Sequence, residues 1–380
     1  MNCVNSRATI RHRITKWLKT LGYSLLLMLP LHGYSYDGVS FPAEVSRIAI
    51  GSCAKQHLPQ PIWTTIADKE PDLFLFIGDN VYADVDRHGT WLDGPVLDPQ
   101  RFSNAYGALA NVPEFAAFRQ KTPFIGSWDD HDYGLNDGGA DYPLKSVSQQ
   151  AFLDFFGFAD DDPVRTQQGI YHARIMGEPG RRVQVIVLDT RFHRTALTRN
   201  PAGRPDNKGP YLPNKDDTGT MLGEAQWQWL TEQLKQPAEI RFIISSVQVV
   251  AYQHAWETWG NMPHERQRLY DLIASTGAQG VMFISGDRHL MEVSKDTGLA
   301  GFTVPYPMWD FTSSGMTDDI KEVNEENRYR VGPVYRGSHF AVIDIDWGES
   351  PADTHIRFTG HDASGKQIIN TTVALETLAP

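Results

Sequence analysis

The feature that most constrains this chain is a repeated junction between buried strand and polar turn. Seven short, β-rich apolar runs punctuate the sequence: Arg47–Ile50, Leu73–Ile77, Pro123–Trp128, Val183–Leu188, Arg241–Val247, Val281–Ser285 and Phe340–Ile345. Runs that are nearly all apolar suit strands buried on both faces. Between them Ile62–Lys69, Ser146–Phe156, Gly223–Gln236 and Pro263–Ser275 carry helical spacing; Trp227, Leu230 and Leu234 lie three and four apart, and Pro263 is placed to open a helix. Strands alternating with helices predict an α/β fold. Segments 84–120 and 191–222 are rich in Gly, Pro, Asn and Asp and read as long loops, of the kind that usually carry function. With no internal repeat and no shift of composition, residues 37–380 read as one domain.

Four of the strands run into a small residue and then a group able to bind metal. Arg47–Ile50 leads to Gly51-Ser52-Cys53, Leu73–Ile77 to Gly78-Asp79-Asn80-Val81-Tyr82, Pro123–Trp128 to Asp129-Asp130-His131-Asp132, and Val281–Ser285 to Gly286-Asp287-Arg288-His289. In open α/β sheets ligands bind outside the carboxyl ends of the strands, so these four ends point their polar groups at one region. Each residue alone has an ordinary explanation: an Asp after a strand caps or turns, a Tyr packs, a lone Cys behaves as a small hydrophobe. Three acids around one histidine are harder to explain, because they repel one another unless a cation sits among them. The joint pattern predicts a polynuclear metal site.

Composition narrows the function. The chain has 380 residues and a formal charge of −11, which argues against nucleic acid as the main partner. Residues 1–36 hold five basic residues (Arg7, Arg11, Arg13, Lys16, Lys19) and no acid, then the apolar run Leu21–Leu31 and small residues at 33–35. That is the plan of a secretory signal, with an uncleaved amphipathic anchor as the alternative, and the run is too short for an ordinary membrane span. Its removal would take the charge to −16 and leave Cys53 as the one cysteine of a periplasmic or secreted protein with no stable membrane span. Two cysteines cannot build a disulfide scaffold in any case.

Ligand hardness bears on the metal. Carboxylates and a phenolate are hard donors and Cys53 is soft; tyrosinate requires a strongly polarising ion because its free pKa is about 10. Trivalent iron suits a Tyr/Cys/Asp set, calcium or manganese suit the remaining carboxylates, and zinc is compatible with Cys, Asp and His. Adjacent metals bridged by a carboxylate serve in-line displacement at phosphorus by a metal-bound water, for which His131 is the natural general acid or a donor to the equatorial oxygens.

These motifs match a family. The segments GSC at 51–53, IGDNVYAD at 77–84, WDDHDYGLND at 128–137, LDTR at 188–191, LGEAQWQWL at 222–230, SSVQ at 245–248, ETWGNMPHERQRL at 257–269 and SGDRHL at 285–290 together resemble the PhoD-like phosphatases, the alkaline phosphatase D branch of the calcineurin-like metallophosphoesterases. The resemblance implies a four-layer α-β-β-α sandwich, hydrolysis of phosphate monoesters and diesters, and an iron–calcium centre. It places Cys53, Asp79, Tyr82 and Asp287 on iron, Asp79 as the bridge, Asp130 and Asn136 on calcium, His289 at a metal-binding histidine and His131 at the acid position. Two departures stand out: the separate N-terminal β domain common in the family has no counterpart before the first strand, and residues 1–36 lack the twin-arginine pair of the familiar export route.

Other side chains are less specific. Arg288 is a candidate substrate contact because arginine forks onto phosphate. Arg191 is a weaker candidate, more readily paired with a buried acid such as Asp189. Trp256, Trp259 and His254 either wall the pocket or form a loop's own core, and Glu292 is expected to support the site rather than ligate. The expected function is therefore an exported phosphohydrolase acting on a small-molecule phosphate ester. Its rivals are a phospholipase D-like phosphodiesterase on the same centre and a non-catalytic secreted protein that binds metal or phosphate.

Overall fold

The structure, a computed structural model, describes residues 39–298, 301–317 and 325–380. The signal segment expected at 1–36 lies outside the described residues. All seven expected strands form. β1 (Arg47–Gly51), β2 (Leu73–Ile77) and β3 (Phe124–Ser127) run parallel, and β1 is continued on its other side by the antiparallel meander β10 (His339–Asp346), β11 (His355–Asp362) and β12 (Gln367–Ala374), in the order β12-β11-β10-β1-β2-β3. The second sheet holds β4 (His172–Met176), β5 (Val183–Val187), β6 (Ile240–Ser245), β7 (Val281–Ser285), β8 (Met291–Asp296) and β9 (Met308–Ser313), in the order β4-β5-β6-β7-β9-β8, with its four central strands parallel.

The sheets meet face to face: Phe311 of β9 stacks on Phe358 of β11, with ring centroids 4.7 Å apart and planes within 7°. Helices cover the outer faces. Phe74 and Phe76 of β2 point outward against Trp63 of α1 (Ile62–Ala67), at 5.1 and 5.6 Å, and Trp63 also meets Phe115 and Phe118 of α3 (Pro113–Arg119). On the second sheet Tyr270 of α7 (Pro263–Thr276) packs on Phe283, and α7 is tied to α6 (Glu224–Leu234) where Trp227 Nε1 donates to Glu265 at 3.0 Å. The four layers are those expected.

One expectation fails. Segment 84–120 is not a plain loop, because α2 (Gln100–Ala110) and α3 lie inside it. Phe102, Ala105, Tyr106 and Leu109 fall three and four apart and are buried, a helical stripe masked by the Gly and Asn beside it. Segment 191–222 holds no named helix or strand, as expected. No helix among the described residues is long and apolar enough to cross a membrane.

Candidate metal centre

Four of the expected ligands share an uncommon backbone. Cys53, Asp79, Asp287 and His289 have φ of 59°, 48°, 68° and 51°. Left-handed φ is rare outside glycine and costs on the order of 1–3 kcal/mol where the surroundings impose it, so such residues gather at functional sites. Here the parallel strands stop and the chain turns at once, swinging each side chain over the carboxyl end of the sheet. Gly78 makes the turn before Asp79 possible: its φ is +109°, and a Cβ there would lie 2.7 Å from Asp129 Cβ.

Asp79 is the centre of the cluster. Its Oδ2 lies 3.4 Å from Cys53 Sγ and 3.5 Å from the Tyr82 hydroxyl, while Oδ1 accepts the His131 N–H at 3.4 Å. Donor atoms of Cys53, Asp79 and His289 all lie within 4.8 Å of one another, and so do those of Asp79, Asp130 and His131. Asp79 thus belongs to two adjacent sets, one adding a thiol and the His289 imidazole, with the Tyr82 phenol next to it, and one adding the Asp130 carboxylate and the His131 imidazole. A third set, Asp130, Asp137 and Glu257, shares Asp130.

The electrostatics suit cations at these positions. Burial, reinforced by Asp130, Asp129 and Asp132, pushes the Asp79 carboxyl well above its usual range although His131 pulls the other way. Burial likewise raises Asp137 to about 7. Asp130 moves down to about 2: burial opposes its charge, but His131, Arg191 and the Asp137 N–H outweigh it. Asp130 Oδ1 is buried without a hydrogen bond and lies 3.8 Å from His131 Nε2. Buried carboxylates this close, one with an oxygen left over, are a donor set that could hold a metal ion.

His131 is held from two sides. Its Nδ1 lies 2.8 Å from Asp84 Oδ2, and its ring stacks on Tyr82 with centroids 4.3 Å apart. Burial disfavours its charge, but Asp130, Asp79 and Asp84 outweigh that and hold its pKa well above the ordinary value. Asp84 was not singled out from the sequence, although it closes the IGDNVYAD segment.

The acids beside His131 divide their work, so a cation is not required to explain all of them. Asp129 meets Arg191 (Nε at 2.7 Å) and accepts from Ser246 at 2.7 Å. Asp132 accepts from the Asp129 N–H at 2.9 Å, from Asn80 Nδ2 at 2.9 Å and from the Val81 N–H at 3.2 Å, pinning the 77–84 loop to the short helix α4 (Asp130–Tyr133). Of this run, Asp130 and His131 face the shared region.

The remaining candidates fall unevenly. Asn136 is exposed; its neighbour Asp137 turns inward, donating its N–H to Asp130 Oδ2 at 2.8 Å and accepting from the Tyr211 hydroxyl. Asp287 is mostly buried beside Arg288, 3.7 Å away, and belongs to none of the three sets. Arg288 pairs with Glu325 and lies over Trp256 at 5.0 Å. Arg191 is fully buried between Asp129 and Glu257, the latter at 2.6 Å, rather than on Asp189, which caps the N–H groups of Arg191 and Phe192. Glu257 also takes Arg194 at 2.7 Å. Trp259 is core, donating to Ser245 Oγ at 3.0 Å. Glu292 is occupied by Gln248, Asn327 and Arg330. Asp137 and Glu257 escaped the sequence reading although both stand in its motifs, at the end of WDDHDYGLND and the start of ETWGNMPHERQRL.

Two facing mixed sheets, helices outside them and donors at the carboxyl ends of the central strands define a metallophosphoesterase sandwich. Residues 48–342 match the model of the PhoD-like phosphatase family, and the chain belongs to that family. It is 22% identical over 271 residues to alkaline phosphatase D of Bacillus subtilis (strain 168), a match covering 63% of this chain and 45% of that protein, so it spans less than half of that relative's length. Among solved structures, that of PhoD superposes with a TM-score of 0.63 at 18% identity, covering 87% of this chain and 72% of the other. Purple acid phosphatase PPD1 from yellow lupin (Lupinus luteus) seeds gives 0.57 at 11% identity, covering 88% and 54%. GAP50, the anchor in the inner membrane complex of Plasmodium, gives 0.51 at 15% identity, covering 87% and 89%. At these identities the likeness is one of fold.

Proposed function

We infer that this protein is an exported, metal-dependent phosphohydrolase that cleaves phosphate mono- or diesters of small molecules. A fold that also serves as an anchor in GAP50 does not by itself imply catalysis, so the reading rests on side chains. The observation that carries it is Asp79, whose carboxylate lies with Cys53 and His289 on one side and with Asp130 and His131 on the other, His131 being fixed there by Asp84.

Cys53, Asp79, Tyr82 and His289, with Asp287 at the rim, would hold one ion; Asp79 and Asp130, with Asp137 rather than the exposed Asn136, would hold the other. Thiolate and phenolate suit ferric iron at the first position and all-oxygen donors suit calcium at the second, with zinc or manganese as the alternatives to be tested. Bound metals would supply Lewis acidity toward phosphoryl oxygens and lower the pKa of water. The chain's own contribution is a proton at Nε2 of His131, delivered to the leaving oxygen as the P–O bond breaks and a water oxygen joins phosphorus. Asp84, accepting from Nδ1, keeps Nε2 pointed at the site and stabilises the charged ring. Tyr82, stacked on the imidazole, prevents it from swinging away.

Elemental analysis with a visible spectrum tests the metals. Ferric iron on Tyr82 and Cys53 gives a charge-transfer band that Tyr82→Phe and Cys53→Ala remove; a colourless, active zinc protein would refute the iron assignment and spare the hydrolase. His131→Ala should lower turnover by about 10²-fold or more with metal content kept. Unchanged turnover would remove His131 from the mechanism, and a fully metallated protein that hydrolyses neither a monoester nor a diester would refute the enzyme reading.

A further inference from the structure

One residue beside the site has no part in that mechanism. The chain after Tyr82 folds back on itself. Val85 and Trp91 face each other as an isolated antiparallel bridge, the Asp86 N–H donates to Thr90 O at 2.9 Å, and the Leu92 N–H donates to Asp84 O at 2.8 Å. The Asp86 carboxylate accepts the N–H groups of His88 and Thr90 at 2.8 and 2.9 Å, an Asx arrangement that braces the tip. The hairpin is therefore preorganised, and Asp84 at its base is the residue that holds His131.

This hairpin presents Trp91 with 50% of its surface exposed. A large aromatic left that open forgoes the burial that normally stabilises it, and a rigid exposed aromatic beside a polar site is a recognition surface. Its ring lies 5.1 Å from the His131 ring and 5.8 Å from that of Tyr82, and the Lys55 ammonium lies over both Tyr82 and Trp91, at 5.4 and 5.8 Å from their centroids. His131 is where a leaving oxygen would collect its proton, so whatever is attached to that oxygen passes the indole. Lys55 adds a positive charge at the same edge, where an anionic ester enters.

We propose that Trp91 is a stacking platform for the leaving group and makes the site selective for esters whose leaving group carries a flat aromatic ring, aryl or nucleoside, over simple alkyl esters. The proposal rests on the phosphohydrolase reading for the position of the leaving group. Leu92 and Leu97, exposed on the same loop, make a lipid chain the competing occupant.

The test is calorimetric titration of the metal-loaded protein with methyl-, hexyl- and phenylphosphonate and with a methylene phosphonate analogue of adenosine monophosphate. None of these is hydrolysed. The phenyl and adenosine compounds should bind about tenfold more tightly than methylphosphonate. In Trp91→Ala that preference should shrink to within about twofold, and Trp91→Phe should retain most of it. The ratio of the phenyl to the adenosine compound identifies which aromatic class the platform fits. Equal binding of phenyl- and methylphosphonate, a preference that survives Trp91→Ala, or hexylphosphonate bound as tightly as phenylphosphonate would each overturn the proposal. Hydrolysis of phenyl and methyl phosphate at equal kcat/KM overturns the platform and leaves the phosphohydrolase standing; binding preference without hydrolysis of any ester overturns the phosphohydrolase and keeps the platform as a binding feature.

Discussion

Asp84 Oδ2 lies 2.8 Å from His131 Nδ1, and this contact leaves Nε2 as the nitrogen on the side of Asp130, 3.8 Å away. Replacing Asp84 by Asn keeps the volume but removes the charge that supports a protonated ring. Turnover of the Asp84→Asn enzyme should fall by about tenfold or more, with metal content unchanged by elemental analysis. His254 is the opposite kind of histidine. Burial, with Arg288 and Arg330 nearby, holds its pKa well below the ordinary value, and its Nδ1 accepts the Trp256 N–H at 3.1 Å. It is neutral in the fold. On acidification below about pH 6.5 the unfolded chain takes up a proton at this residue that the folded chain does not, so stability is fully present above that pH and falls below it. Denaturation midpoints measured from pH 8 to pH 5 should decline, and the decline should be shallower in His254→Gln.

At the scale of elements, the strands that carry the site are short and mostly apolar, with Arg47 at the outer end of β1 and Gly or Ser at the site ends of β1, β3 and β7. LFLFI of β2 and VMFIS of β7 were legible because every residue is buried. β8 and β9 were not, because they bury polar residues that find partners only in three dimensions: Asp310 accepts the N–H groups of Val249 and Val250 and the Ser285 hydroxyl, and Asp296 pairs with Arg266 at 2.8 Å. Hydropathy reads such strands as loops. The β3 strand is held against α5 (Lys145–Phe155) where Phe156, at the end of that helix, lies across Gly126. A methyl group there would run into the ring. Gly126→Ala should destabilise the fold by about 1–3 kcal/mol, seen as a lower denaturation midpoint with unchanged slope.

At the scale of the whole molecule, a buried ionic network joins the two sheets behind the site. Asp129 follows β3 of the first sheet; Arg191 follows β5 of the second, and Glu257 and Arg194 complete the set. Removing one partner of such a network leaves charge buried without compensation. Arg191→Met should cost about 3–5 kcal/mol, measured by chemical denaturation of the metal-free protein. Because this network fixes the 128–137 segment, the variant should also bind metal less tightly, which titration with a chelator would reveal.

What the sequence by itself determined is local: which strands are buried, and that their carboxyl ends carry Cys53, Asp79, Tyr82, Asp130, His131 and His289. A strand end and the turn after it are written in adjacent residues, and the layered α/β class follows from the alternation of periods. What only the tertiary structure decided is the partnership of residues far apart in the chain. Asp129 is separated from Ser246 by 117 positions and from Arg191 by 62, and those contacts give Asp129 a structural task while Asp130 beside it joins Asp79 and His131. The same holds for the inward turn of Asp137 in place of Asn136, and for Arg288 pairing with Glu325. A side chain's residue type records what it can bind; which partner it meets depends on which surfaces the two sheets bring together.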